Sequence, residues 1–226
     1  MGKIILNHHA STVLVKCDNT GEFLFGKYDP GYPGKNRHWI GRVKVLGGNY
    51  FAGKDSDVSP LETVRREIGE EFSGKKAAEG EMAALQQHNF AKPSDIRRVR
   101  EALLDMEPFQ DYLLHHPGPE DKPQIYVIQS VYRVNVPRKV MELVKENLSQ
   151  GRSITNEGLL AVHTLQDIQQ GRPMAQGITG LVMGHAEGIS VPHCFQDAFT
   201  FAPIGKPRNA YLMYTDNFEY RNHPKK

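Results

Sequence analysis

Cysteine is scarce in this 226-residue chain: Cys17 and Cys194 are the only two, far apart and in no CxxC arrangement. That excludes a thiolate zinc site and a disulfide framework of the kind that holds small secreted domains together. Tryptophan is scarcer still, with Trp39 alone. No apolar run approaches the ~20 residues that a membrane-spanning helix needs. The start, MGKIILNHHAS, lacks the long apolar stretch and small-residue cleavage site of a signal peptide. The expectation is therefore a soluble, cytoplasmic protein with no membrane partner. Charge of one sign is also lacking: a net charge of +2 is too small to coat nucleic acid, so no nucleic-acid partner is expected. There is no internal repeat, no low-complexity tract and no linker, and the length suits one generous domain over residues 1–226.

The residues that are present alternate between strand and helix signals. Ser11–Lys16 (STVLVK) is rich in β-branched residues, Asp18-Asn19-Thr20-Gly21 signals a turn, and Glu22–Tyr28 is a second strand-like run, so a hairpin is expected. A Pro- and Gly-rich loop occupies Asp29–Asn36, and Trp39–Leu46 reads as a further strand ending at Gly47-Gly48. Ser59-Pro60 with Glu62 announces a helix whose apolar face is Leu61, Val64, Ile68 and Phe72, stopped by Gly74. Residues 75–122 read as a helical insertion, from EMAALQQHNF through SDIRRVREALLDMEPFQDYLLHH. Gln124–Val134 predicts a central strand, Lys139–Ser149 an amphipathic helix, Leu159–Val162 a short strand and Leu165–Gln170 a helical turn. Gly177–Ala186 reads as a helix, Ala210–Thr215 as a strand, and about 187–226 as a C-terminal extension. Leucine-rich helices in the insertion would expose apolar area, which makes a homodimer interface there an expectation.

The chemistry lies in Arg66-Glu67-Ile68-Gly69-Glu70-Glu71. At 100° per residue from Leu61, Glu67 and Glu71 fall at about 240° and 280°, bordering the buried stripe, and Glu70 at about 180°, nearer solvent. Glu-rich helix faces are ordinarily solvated surface. Three carboxylates on one side of a helix pinned to a core are also a rigid array of hard oxygen ligands, the kind Mg²⁺ takes together with waters and phosphates. Gly47–Gly74 resembles the box of the Nudix hydrolases, G-x5-E-x7-R-E-U-x-E-E-x-G-U, where U is bulky and apolar. Gly48 stands at the opening glycine, Arg66-Glu67 at the R-E pair, Ile68 at U and Glu70-Glu71 at the E-E pair. The resemblance extends through the preceding hairpin, QIYVIQSVYRV and NEGLLAVHTLQDI, roughly two thirds of the chain, although only the box is specific. It departs in three places. The loop after Gly48 is about four residues longer, the loop glutamate falls at Val58 with Asp55 and Asp57 nearby, and the closing glycine falls at Ser73.

The resemblance implies an α/β/α sandwich with a mixed central sheet, carrying the helical insertion. It implies Mg²⁺, with Mn²⁺ as a substitute, held by Glu67, Glu70 and Glu71, and a site lined by the Gly48 backbone. The implied activity is hydrolysis of a phosphoanhydride in a nucleoside diphosphate derivative, with nucleoside diphosphate sugars or ADP-ribose as first choices. Candidate bases are Glu70, Glu71 and Glu157, the last in the loop before Leu159–Val162 and otherwise an ordinary surface carboxylate. Arg66, a substrate-binding candidate with Gly48 and Trp39, would hold the loop against the helix, either pairing with Asp57 in place of the absent glutamate or making no such pair. Trp39, with Tyr28 and Tyr32, could stack on a base, while Arg37, Lys44 and Lys54 could meet phosphates. Such aromatics more often fill cores, and such cations are as often solvated. The ten histidines form no spaced metal motif, and Gly177, Gly180 and Gly184 make no G-x-G-x-x-G after a strand. The competing class is a catalytically degenerate Nudix domain that senses a nucleotide or binds a protein.

Overall fold

In a computed structural model, the residues described are 4–6, 8–28, 39–50, 59–74, 89–116, 125–156, 159–175, 178–191, 200–205 and 218–220. The first part of the chain contains β1 (Ile4–Leu6), β2 (His8–Cys17), β3 (Glu22–Lys27), β4 (Val43–Lys44), β5 (Leu46–Tyr50) and α1 (Pro60–Glu71). Next come β6 (Asn89–Phe90), α2 (Pro93–Leu104), β7 (Glu107–His116), β8 (Ile125–Asn135) and α3 (Arg138–Ser149). The rest contributes β9 (Arg152–Ser153), β10 (Leu159–Thr164), α4 (Leu165–Gln169), α5 (Ile178–Glu187), β11 (Thr200–Gly205) and β12 (Phe218–Tyr220).

An eight-stranded mixed sheet forms the centre, in the order β10-β3-β2-β8-β7-β11, with β4 on β3 and β5 on β2. β2 is the pivot. It runs parallel to β8 along one edge, and on its other edge pairs first with β5 through His9–Val13 and then with β3 through Val15–Cys17. Period-two alternation sends successive β2 side chains to opposite faces. Val13, Val15 and Cys17 join one core with Val64 and Ile68 of α1, Phe72 at its C-terminal cap, Ile96, Val99 and Leu103 of α2, and Val140, Met141 and Val144 of α3. Leu14 joins a second core with Phe23, Phe25, Tyr112, Ile168 of α4 and Val182 and Met183 of α5. The protein is thus mixed α/β with helices packed on both faces of its sheet, an arrangement compatible with an α/β/α sandwich.

The hairpin, the central strand β8, α1 and α3–α5 lie where the residue patterns place them, with α5 ending one residue later than expected. Three expectations change. Trp39–Leu46 is not one strand: Trp39–Gly41 turn, β4 has two residues, and both glycines lie inside β5. The reason is close packing, since a Cβ on Gly47 (φ +138°) would stand 2.1 Å from the Ser11 carbonyl oxygen. Within the expected helical insertion, 93–104 is helix, but Asn89–Phe90 is a short strand paired with β9, and Glu107–His116 is a full strand of the central sheet. Pro108 blocks helix continuation, and pairing of Tyr112 with Gln129 and Leu114 with Val127 puts both side chains in the second core. Residues 75–88 and 117–122 of that segment lie outside the described residues. Finally, the expected C-terminal extension supplies β11, which pairs with β7 as an edge strand. Ala210–Thr215 lies outside the described residues.

Among the described residues, Met174 is the only exposed large hydrophobic side chain, and it lies outside the segment expected to form a dimer interface. No described helix is long and apolar enough to cross a membrane.

Candidate functional site

The helix carrying the carboxylates is fastened at both ends. Ser59 caps it, its hydroxyl accepting from the Glu62 N–H at 3.3 Å, and Pro60 occupies the first turn. The Ser11 hydroxyl of β2 donates to the Pro60 carbonyl, tying that turn to the sheet. At the other end Gly74 takes φ +67°. The Asn156 backbone N–H donates to the Glu71 carbonyl at 2.7 Å, its side-chain amide donates to the Glu70 carbonyl at 2.8 Å, and it also meets the Ser73 hydroxyl. These bonds satisfy carbonyls that a helix C-terminus leaves without intrahelical partners.

Along this fixed helix the three carboxylates are graded by depth. The Glu71 side chain is 4 % exposed, Glu67 21 % and Glu70 61 %, the order expected from their angles around the helix. Arg66 lies between two of them, with one guanidinium nitrogen 3.0 Å from Glu67 Oε1 and another 3.0 Å from Glu70 Oε2. Its expected partner Asp57 lies outside the described residues, as do Asp55, Val58, Tyr32, Arg37, Lys54 and Glu157. Lys44, on β4, places Nζ 3.9 Å from Glu71 Oε1.

Gly48 meets Glu67 directly. A Cβ built on Gly48 would stand 2.3 Å from Glu67 Cδ and 2.8 Å from its Cγ, so the carboxyl group occupies the space that only glycine leaves open. Ser11 pairs with Gly48 across β2 and β5, and the same serine holds the start of α1. One short stretch of β2 therefore sets both the glycine and the helix that packs on it.

Trp39 is half-buried, its ring centroid 5.5 Å from that of the buried Tyr28 at an interplanar angle of 34°. Lys44 Nζ lies 5.2 Å from the Tyr28 ring centroid. A continuous series of contacts thus runs from Trp39 through Tyr28 and Lys44 to Glu71. By contrast, His9 is buried, with Nε2 2.8 Å from Ser130 Oγ.

Glu67, Glu70 and Glu71 are hard oxygen donors of the class Mg²⁺ takes, and the first of them is cradled against a backbone with no side chain. Among the described residues no three acidic, histidine or cysteine side chains converge on one point; Arg66 and Lys44 hold the carboxylates instead. Residue patterns named Glu67, Glu70, Glu71, Arg66, Gly48 and Trp39, and the structure gathers the first five on and against α1. They missed Ser11 and Asn156, whose side chains bond to backbone and leave no spacing signal. No protein-family model matches the chain, and no curated protein matches it.

Proposed function

We propose that this chain is a Nudix-type, Mg²⁺-dependent hydrolase that cleaves a phosphoanhydride bond in a nucleoside diphosphate derivative. The observation that carries this reading is the contact between Gly48 and Glu67. Two positions nineteen residues apart, both belonging to the box pattern, meet so closely that a side chain at the first would displace the second. A solvated acidic face would not require such a contact.

Glu67, Glu70 and Glu71 would hold the metal. Bound Mg²⁺ would supply charge neutralisation for the diphosphate oxygens and a polarised water. The chain's residues do the rest. Glu71 anchors the site in the sheet, Glu67 ties it to β5, and Glu70, the most exposed, is the carboxylate with freedom to accept a proton from water. Glu157, next to the Asn156 that caps α1, is the other candidate base. Arg66 serves as counter-ion for Glu67 and Glu70, and Trp39 offers a ring on which a base could stack. The products would be a nucleoside monophosphate and a phosphorylated second fragment, with nucleoside diphosphate sugars and ADP-ribose as the first substrates to try.

A second reading has one observation in its favour: Arg66 ion-pairs with both Glu67 and Glu70, as a nucleotide-sensing or protein-interaction domain without turnover could retain. The two readings separate in one experiment. A panel of nucleoside diphosphate derivatives is incubated with Mg²⁺ or Mn²⁺, monophosphate release is measured, and Glu70→Gln and Glu71→Gln are run alongside. Turnover abolished by these substitutions supports the hydrolase, while turnover that survives them removes the assignment. No turnover, together with ADP-induced quenching of the single Trp39, supports the sensor.

A further inference from the structure

Lys44 is placed unusually for a solvated lysine. Its side chain is only 19 % exposed. Nζ stands 3.9 Å from Glu71 Oε1, beyond the usual 2.7–3.2 Å of a hydrogen bond. The ring of Tyr28 lies on another side, 5.2 Å from Nζ to its centroid. Among the described residues the contacts of this ammonium are a loose ion pair and an aromatic face, which leave its donors available to a further acceptor. Lysine is a strongly hydrated point charge on a flexible stem, and a desolvated ammonium gains most from an anion that accepts its protons.

Glu71 is in the opposite position. It is 4 % exposed and, on the reading above, is a carboxylate that a divalent cation would take. A cation of charge two near Glu71 repels the ammonium beside it and removes that ammonium's reason to stay. Lys44 Nζ contacts Glu71 on one side and the ring of Tyr28, itself against Trp39, on another. A diphosphate joined to a base stacked on Trp39 would have to cross that interval.

We propose that Lys44 is a phosphate-binding residue held in reserve: its ammonium neutralises Glu71 while no metal is bound, and passes to the substrate diphosphate when a divalent cation takes that carboxylate. This rests on the metal site proposed above and adds to it a substrate ligand and an order of events, metal before nucleotide.

The test uses the full chain and two probes. Mn²⁺ alone is titrated at pH 8, with free Mn²⁺ read by electron paramagnetic resonance, for the unaltered protein, Lys44→Met, Lys44→Arg and Glu71→Gln. ADP binding in the presence of Mg²⁺ is then followed by Trp39 fluorescence. Lys44→Met is expected to bind Mn²⁺ about threefold to tenfold more tightly, because the competing charge is gone. It should bind ADP about tenfold more weakly, because a charged hydrogen bond to phosphate is lost. Lys44→Arg should retain most of the ADP affinity. Unchanged or weaker Mn²⁺ binding in Lys44→Met, or unchanged ADP binding, overturns the proposal. If Glu71→Gln weakens Mn²⁺ binding while Lys44→Met does not strengthen it, only the role of Lys44 falls. If Glu71→Gln leaves Mn²⁺ affinity intact, the metal assignment of Glu71 falls, and the role of Lys44 falls with it.

Discussion

Replacing Gly48 with alanine adds one methyl group, and the structure says where it goes. The new Cβ would lie 2.3 Å from Glu67 Cδ, 2.4 Å from Oε1 and 2.8 Å from Cγ, whereas carbon atoms pack at about 3.5–4.0 Å. Because Cγ is among the clashing atoms, moving only the tip of the side chain is insufficient, and Glu67 must leave its rotamer. An off-rotamer torsion costs about 0.5–1.5 kcal/mol, and the partly exposed Arg66–Glu67 pair that would be lost contributes about 0–1 kcal/mol. Gly48→Ala should therefore destabilise by about 1–2 kcal/mol, a Tm decrease of roughly 2–8 °C for a chain of this size. Gly69→Ala is the control. That glycine lies inside α1 with nothing within 4 Å of its would-be Cβ, so alanine there should stabilise by about 0.5–1 kcal/mol. The decisive comparison is thermal unfolding with and without Mg²⁺. A ligand at a hundred times its Kd stabilises the native state by about 2.7 kcal/mol. The unaltered protein and Gly69→Ala should show that upward shift in Tm, and Gly48→Ala should lose most of it. If Gly48→Ala keeps the full Mg²⁺-induced shift, Glu67 is not a metal ligand and the geometry argued from the glycine is wrong.

Asn156 should matter more for its donor than for its size. Asn156→Ala leaves the backbone bond to Glu71 but removes the side-chain bond to the Glu70 carbonyl, so urea denaturation should show a loss of about 1–3 kcal/mol. Asn156→Asp should be worse, because a carboxylate cannot donate and sits badly at a helix C-terminus; an aspartate variant as stable as the parent refutes this account. A third expectation concerns acid. Burial pushes the His163 imidazole below its ordinary value of 6.5, helped by Lys27 and opposed by Asp167. The unfolded chain then takes up a proton more readily than the folded one. His163 should thus weaken the fold as pH falls from about 6.5 through its depressed folded value, and His163→Gln should flatten the Tm profile there; an unchanged slope counts against it.

How much could be read from residues alone follows from what kind of signal each part carried. α1 was legible because three independent features agree on it: a Ser-Pro start, an apolar face at helical spacing and a glycine stop. Its carboxylates were legible in angle, and their exposures follow that angle. β7 was not legible. EPFQDYLLHH is made largely of residues compatible with a helix, and its strand state depends on pairing with β8, which a local pattern does not contain. Locally, Gly47-Gly48 has the pattern of punctuation, the usual meaning of paired glycines. Both sit inside a strand, each emptied of a side chain for a different neighbour, the Ser11 carbonyl and the Glu67 carboxyl.

The physical case for chemistry at this site rests more on where Glu71 lies than on how many carboxylates surround it. Exposed acidic residues on a helix cost almost nothing and need no explanation. A glutamate with 4 % of its side chain exposed is different, because desolvation penalises its charge, and Lys44 at 3.9 Å is one of the groups set against that penalty. An apolar residue there would extend the stripe of Val64, Ile68 and Phe72 against the sheet, and such replacements of buried ion pairs are often neutral or stabilising. A carboxylate at this depth is what the divalent-cation site proposed above would use. The same reasoning ranks the three glutamates. Glu71 is the most deeply buried, Glu67 is the one whose place depends on a missing Cβ, and Glu70, ion-paired with Arg66, is the most exposed.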